Sequence, residues 1–118
     1  MDVKDIKLNY KDSGLLPAVI QDVKTGEVLM LGYMNEEAFR RTMASGEVWF
    51  WSRSRKELWH KGETSGNKIL VKSVWQDCDQ DTLLVVAEAT GPVCHTGNKT
   101  CFFEELTGKN VKPACPPG

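Results

Sequence analysis

The chain has almost no net charge: 15 Lys and Arg stand against 16 Asp and Glu, a balance of -1 over 118 residues. A general nucleic-acid binder works by neutralising phosphates, so this balance argues against that class and leaves room only for a local basic patch. Long apolar runs are missing too. No stretch approaches the ~18 residues that cross a bilayer, and the opening "MDVKDIKLNYKDSG" is polar where a secretory signal has its apolar centre. A soluble cytoplasmic protein without membrane or nucleic-acid partners is expected. No Walker A sequence and no G-x-G-x-x-G occurs, so neither of those phosphate-binding loops is available. Repeats, linkers and low-complexity segments are also absent, and a single domain over residues 1–118 is expected. A chain of this length forms a real core, and burial against a second copy would add usefully to it.

Cysteine is sparse, with four residues at 78, 94, 101 and 115. In a reducing compartment they read as metal ligands or free thiols rather than a disulfide framework. The first lies in "WQDCDQDTLL", residues 75–84, where Asp77, Asp79 and Asp81 alternate around Cys78 and Gln80. Aspartate oxygens suit magnesium, calcium or manganese and a thiolate suits zinc, so the segment offers two chemistries. If it is extended, the three aspartates line one face and Cys78 points to the other. Carboxylates so placed repel one another unless a cation holds them, whereas solvated aspartates at an edge turn beside a structural cysteine are the bland alternative.

Partners for the thiol appear in "VCHTGNKTCFF". Cys94 and Cys101 with Cys78 make a three-thiolate zinc site whose fourth position stays open, as in catalytic zinc. The spacing equally admits three unrelated thiols, or a closed site completed by Cys115 in "PACPPG". Placed among prolines near the last residue, Cys115 reads as a free or peripheral thiol. His95, flanked by a candidate ligand, is a candidate proton carrier, with an ordinary loop histidine as the alternative. A third cluster, "WSRSRKELWHKGETSGN", gathers Arg53, Arg55 and Lys61 with Ser52, Ser54, Thr64, Ser65, Gly62 and Gly66. Such a mixture of cations, hydroxyls and exposed amides holds phosphate groups, and Trp51 and Trp59 offer faces for a purine, although tryptophans in β proteins are more often core.

The coarse fold follows from hydrophobic period. "LLPAVIQDV" and "EVLMLGYM" around "KTG" predict a β-hairpin with Gly26 in the turn. "NEEAFRRTMASG" predicts a short helix: Asn35 as N-cap, Glu36 and Glu37 in the first turn, Ala38, Phe39 and Met43 on an apolar face, Gly46 just beyond the end. Strand signals return in "EVWFWSRS", "KILVKSVWQD" and "TLLVVAEAT", broken by "RKE", "KGETSGN" and the aspartate segment. The expected fold is mainly β (α+β), a single domain of antiparallel strands with one clear helix. From Gly91 the chain is rich in Gly, Pro and Asn, only "CFFEEL" is able to be regular, and something other than a large core must order it.

The three blocks "SRSRKELWHKGETSGN", "DCDQD" and "GPVCHTGNKTCF", in this order and at these separations, resemble the signature blocks of the phosphoribosyl-AMP cyclohydrolases of histidine biosynthesis. "LLPAVIQDVKTGEVLMLGYMNEEAF" resembles that family's N-terminal region, so the similarity spans nearly the whole chain. The resemblance implies zinc on Cys78, Cys94 and Cys101, magnesium on Asp77, Asp79 and Asp81, and an intertwined homodimer with zinc ligands from both subunits. It implies 1-(5-phosphoribosyl)-AMP as substrate, hydrolysed at N1–C6 with His95 moving the proton. Ser52, Arg53, Arg55, Lys61, Thr64 and Ser65 are then the candidate substrate contacts, and the form expected is monofunctional. Two rivals differ in class. A zinc nucleobase deaminase needs H-x-E and P-C-x-x-C, but His60 and His95 are followed by "KG" and "TG". In a zinc-stabilised interaction module without activity, the aspartates and the basic loop would be incidental.

Overall fold

Alternation in "LPAVIQD" becomes β1 (Leu16–Asp22), in which Leu16, Ala18 and Ile20 are buried and the residues between them half-buried. The structure, a computed structural model, describes residues 5–107. β2 (Val28–Met34) returns antiparallel to β1, with Leu16 opposite Met34 and a bulge after Ile20. The expected turn lies between them. Gly26 takes φ 76°, a left-handed conformation that glycine adopts without strain, and its amide donates to the Asp22 carbonyl at 2.9 Å.

Helix α1 (Glu36–Ser45) starts and stops where the sequence signals it. The Asn35 side chain accepts from the Ala38 amide at 2.8 Å, and Gly46 ends the helix at φ 74° with its amide on the Thr42 carbonyl. Glu36 pairs with Arg40 at 2.8 Å and Glu37 with Arg41 at 3.0 Å on the exposed side. The buried side differs in one residue from the expected face: Ala38 and Phe39 are buried, Met43 is half-buried, and Thr42 is fully enclosed. Burial of that hydroxyl is tolerated because it donates to the Ala38 carbonyl at 2.8 Å and accepts from the Trp49 amide at 2.9 Å. Thr42 thereby pins the helix to the strand that follows.

That strand, β3 (Trp49–Ser52), forms an antiparallel ribbon with β4 (Glu57–His60), pairing Trp49 with His60 and Phe50 with Trp59. β4 is too short to announce itself by alternation; it lies between the breakers "RKE" and "KGETSGN". β5 (Ile69–Gln76) and β6 (Leu83–Ala89) form a second antiparallel hairpin. The main sheet has the order β2-β1-β6-β5. Of its three pairings two are antiparallel as expected, and one, β1 with β6, is parallel, aligning Ala18 with Leu83 and Ile20 with Val85. Both central strands present alternate apolar residues to one face, Leu16, Ala18 and Ile20 from β1 and Leu83, Val85 and Ala87 from β6.

The ribbon is stitched to the sheet at its base: the Val48 amide donates to the Ile69 carbonyl at 3.0 Å and the Val71 amide to Gly46 at 2.7 Å. Phe50, 1% exposed, carries the ribbon into the core. Its ring lies so close to Gly32 that a Cβ there would stand 2.5 Å from it. "CFFEEL", the one stretch of the tail able to be regular, is not: residues 101–106 form neither helix nor strand, and Phe102, Phe103 and Leu106 are exposed. Among the described residues no helix is long and apolar enough to cross a membrane. Cys115 lies outside the described residues.

Candidate active site

Two loops face each other at one end of the β5–β6 hairpin. The first leaves β4 at His60 and turns through 61–67, its Gly66 amide donating to the Gly62 carbonyl at 2.8 Å. Gly62 has φ 87°, and a Cβ on it would meet the Asn67 backbone at 2.5 Å, so glycine is required there. The second follows β6 and folds back on itself through Val93–Lys99 (3.2 Å), Cys94–Asn98 (3.1 Å) and Gly97–Cys94 (3.0 Å) backbone bonds. Thr90 ties the loops together, its hydroxyl 3.2 Å from the Gly66 and Lys68 carbonyls. Between them lies a cleft of about 430 Å³ lined by Arg55, Trp59, His60, Lys61, Thr64, Ser65, Cys94 and His95, among others.

Arg55, Lys61, Thr64, Ser65, Cys94 and His95 are therefore brought into one cavity from two distant stretches of sequence. Ser52 and Arg53 line a neighbouring cleft of about 540 Å³ with Tyr33, Phe50, Trp51 and Ser54, and Trp59 borders both. The Arg53 guanidinium sits 3.9 Å over the Tyr33 ring. Ser52 helps close the β3–β4 turn, accepting from the Arg55 amide at 3.3 Å. The acidic segment is elsewhere, at the far end of the β5–β6 hairpin. β5 has 8 residues, which at ~3.3 Å each separates the two ends by roughly 25 Å. Among the described residues Cys78 does not gather with Cys94 and Cys101 into one ligand group.

The acidic segment is not extended. Residues 77–82 form the hairpin turn, with Gln80 at φ 64°, its amide on the Asp77 carbonyl at 3.1 Å, and Asp77 Oδ1 accepting from Asp81 (3.0 Å) and Thr82 (3.2 Å). Turn closure, rather than strand alternation, brings one carboxylate oxygen each of Asp77, Asp79 and Asp81 within 4.8 Å of one another. Crowding makes them unequal. Hydrogen bonding to Asp81 holds the Asp79 carboxyl above its usual range, and the same bond holds Asp81 below it. Three oxygens so gathered fit a hard divalent cation.

The thiols are unequal as well. Cys94 is 8% exposed, and the Thr96 hydroxyl donates to its sulfur at 3.0 Å, which with the Thr96 amide lowers the thiol pKa. Burial raises the Cys101 thiol, and the nearby Cys94 sulfur raises it further. They are held from outside: the Cys101 amide donates to the Leu29 carbonyl at 2.7 Å, the Thr100 hydroxyl to Val28 at 2.8 Å, and Lys99 reaches Asp22 (3.2 Å) and Glu27 (3.0 Å). Two neighbouring thiols, one predisposed to ionise, are soft donors suited to zinc.

His60 enters the cleft without having been singled out from sequence. Its Nε2 lies 2.9 Å from Glu47 Oε1, its ring stacks on Trp49 at 4.4 Å, and the bond to His60 leads the lowering of the Glu47 pKa. The register of the β3–β4 ribbon places His60 opposite Trp49, and no alternation in so short a strand signals it.

A sequence profile described as phosphoribosyl-AMP cyclohydrolase matches residues 30–103. A phosphoribosyl-AMP cyclohydrolase of Streptococcus mutans is 56% identical over 103 residues, covering 86% of this chain and 94% of that protein. One of Pelotomaculum thermopropionicum is 59% identical over 99 residues, 84% of this chain and 77% of the relative. The histidine biosynthesis bifunctional protein HisIE of Caldanaerobacter subterraneus is 54% identical over 106 residues, 90% of this chain but 51% of that longer protein. These matches cover the ribbon, the acidic turn and both loops of the cleft, and the chain belongs to the phosphoribosyl-AMP cyclohydrolase family.

Proposed function

We propose that this protein hydrolyses the N1–C6 bond of 1-(5-phosphoribosyl)-AMP, opening the adenine ring to the formimino carboxamide ribotide of histidine biosynthesis, in the cytoplasm. The observation that carries the reading is the cleft itself, in which Arg55, Thr64 and Ser65 face the loop of Cys94 and His95. Phosphate-binding groups and a soft-donor, proton-moving group are what a phosphorylated, electron-poor purine needs in one place.

Ribosylation at N1 has already made C6 electrophilic. Cys94 and Cys101, with Cys78, would hold zinc, which supplies the Lewis acidity that makes water a nucleophile near neutral pH. His95 takes the proton as the water oxygen bonds to C6, and passes it to N1 as the tetrahedral carbon collapses and N1–C6 breaks. The exocyclic amine and the new oxygen remain on C6 as a carboxamide, so one water is consumed and nothing leaves. Arg55, Thr64 and Ser65, with Ser52 and Arg53 in the adjoining cleft, bind the substrate's phosphates. Asp77, Asp79 and Asp81 would hold magnesium, which in a homodimer would supply a counter-charge for phosphates bound in the other copy's cleft. Cys78 reaches the thiol pair from a second copy of the chain, in an intertwined homodimer with two shared sites. The length of the β5–β6 hairpin, which puts Cys78 at one end and Cys94 at the other, supports this arrangement.

Phosphoribosyl-AMP incubated with the metal-replete protein should yield a product heavier by one water, without ammonia. Ammonia release would favour a deaminase, and an intact substrate would leave a non-enzymatic zinc module.

A further inference from the structure

Lys61 sits, by sequence, among phosphate-binding residues, yet its surroundings suit another task. Its ammonium donates to the Val93 carbonyl at 2.7 Å, across 32 positions of sequence. It also lies 5.1 Å from the centre of the Trp59 ring. The side chain is half-buried, and burial depresses its pKa against the opposing influence of the Cys101 and Cys94 sulfurs. Val93 is 2% exposed and immediately precedes Cys94. A lysine that grips phosphate works best as a hydrated, mobile charge, whereas this one has a donor already committed within the protein.

We propose that Lys61 is a positioning residue for the Cys94–Cys101 pair: its ammonium fixes the Val93 carbonyl, hence the loop carrying both sulfurs, and its charge compensates theirs as zinc ligands. The inference rests on the zinc reading above. Two physical effects combine. Without the ammonium, a carbonyl of a buried residue loses its partner and the loop loses its tie to β4. Three thiolates around a divalent ion also carry a net negative charge, which a partly buried cation beside them stabilises. The tie to Val93 acts with or without metal, and the charge effect is greatest once metal gathers the thiolates, so the signature of Lys61 is zinc affinity rather than substrate affinity.

The test uses full-length wild type, Lys61→Met and Lys61→Arg, each stripped of metal and titrated with zinc against a chromophoric chelator. Outer groups of this kind change metal affinity ~10–100-fold. Lys61→Met should fall in that range, Lys61→Arg, which keeps charge and donors, should lie closer to wild type, and zinc-saturated Lys61→Met should keep a near-normal KM. Unchanged zinc affinity in Lys61→Met overturns the proposal, and a raised KM beside it would return Lys61 to the phosphates. Should Lys61→Met fail to fold, Lys61→Gln removes the charge and shortens the reach to the Val93 carbonyl, and wild-type zinc affinity in that variant overturns the proposal equally. Wild type that binds no zinc refutes the zinc reading and this inference with it; zinc in wild type with no loss in the variants refutes the inference alone.

Discussion

The acidic turn and the thiol loop are built in opposite ways. Asp77, Asp79 and Asp81 converge within five positions, and most of the hydrogen bonds that gather them come from the turn itself. The thiol loop depends on partners far away in sequence: Leu29 for Cys101, Val28 for Thr100, Lys61 for Val93, and Asp22 and Glu27 for Lys99. A locally closed site survives damage elsewhere in the fold, and a site assembled from distant contacts registers it. The acidic turn should therefore behave as an autonomous unit, and the thiol loop as a readout of the rest of the fold.

The severest test asks whether the thiol site is distributed over two chains. Cys78→Ala and Cys101→Ala should each be inactive alone. Denatured together and refolded with zinc, equal amounts give half mixed dimers with one intact site each, so roughly a quarter of wild-type activity and zinc should return. Recovery no greater than either variant refolded alone, with mixed dimers demonstrated, would place all the ligands within one chain. Next in size, Cys94→Ala should lose both zinc and ring opening, whereas Asp79→Asn should raise the magnesium requirement and leave bound zinc nearly unchanged. Zinc lost by Asp79→Asn would erase the distinction between the two regions.

A smaller effect sharpens the dependence on packing. Gly32→Ala forces a methyl into the Phe50 ring and should destabilise the fold by about 1–3 kcal/mol in a denaturant titration. That strain acts on the strand which anchors Thr100 and Cys101, so zinc affinity should weaken as well, while the acidic turn keeps its magnesium response. The smallest effect is on pH. The Glu47 carboxyl, held below its ordinary 4.5 chiefly by His60, stabilises the fold fully above that value, and its contribution disappears as pH falls through the lowered folded-state value. Wild type should thus exceed Glu47→Gln in thermal midpoint at pH 6, with the gap closing in acid. A gap that widened below pH 4 would mean the pair does not stabilise the fold through the ionised carboxylate.

Legibility in the sequence follows the same divide. Asn35 and Gly46 set the ends of α1, and Gly26 set the first hairpin, because caps and turns are decided by neighbouring residues. Apolar runs located β1 and β6 but are silent on which strand lies beside which, so their parallel pairing was not foreseeable. The acidic turn shows the limit of alternation from the other side. An edge turn is the alternative reading of "DCDQD" and is what forms, although Gln80 closes it in a left-handed conformation unusual for its residue type. Ser52 and Arg53 were grouped with Arg55 by adjacency, yet the β3–β4 turn sends them to a different cleft. Thr42 and His60 owe their places to Trp49, a partner that each meets only after the helix and ribbon have formed.

The parallel contact between β1 and β6 has a consequence in time. These two strands occupy the middle of the main sheet, yet nearly all of the other elements lie between them in sequence. A growing chain can close the β1–β2 hairpin and wind α1 early, but β1 keeps an unsatisfied edge until β6 has been made. Such long-range closure slows folding and leaves a hydrophobic edge open to wrong partners meanwhile. Once formed, the same pairing locks early and late segments into one cooperative unit. Amides of Ala18–Asp22 and Leu83–Ala87 should exchange with solvent only when the whole domain opens, while those of the β3–β4 ribbon exchange through smaller openings.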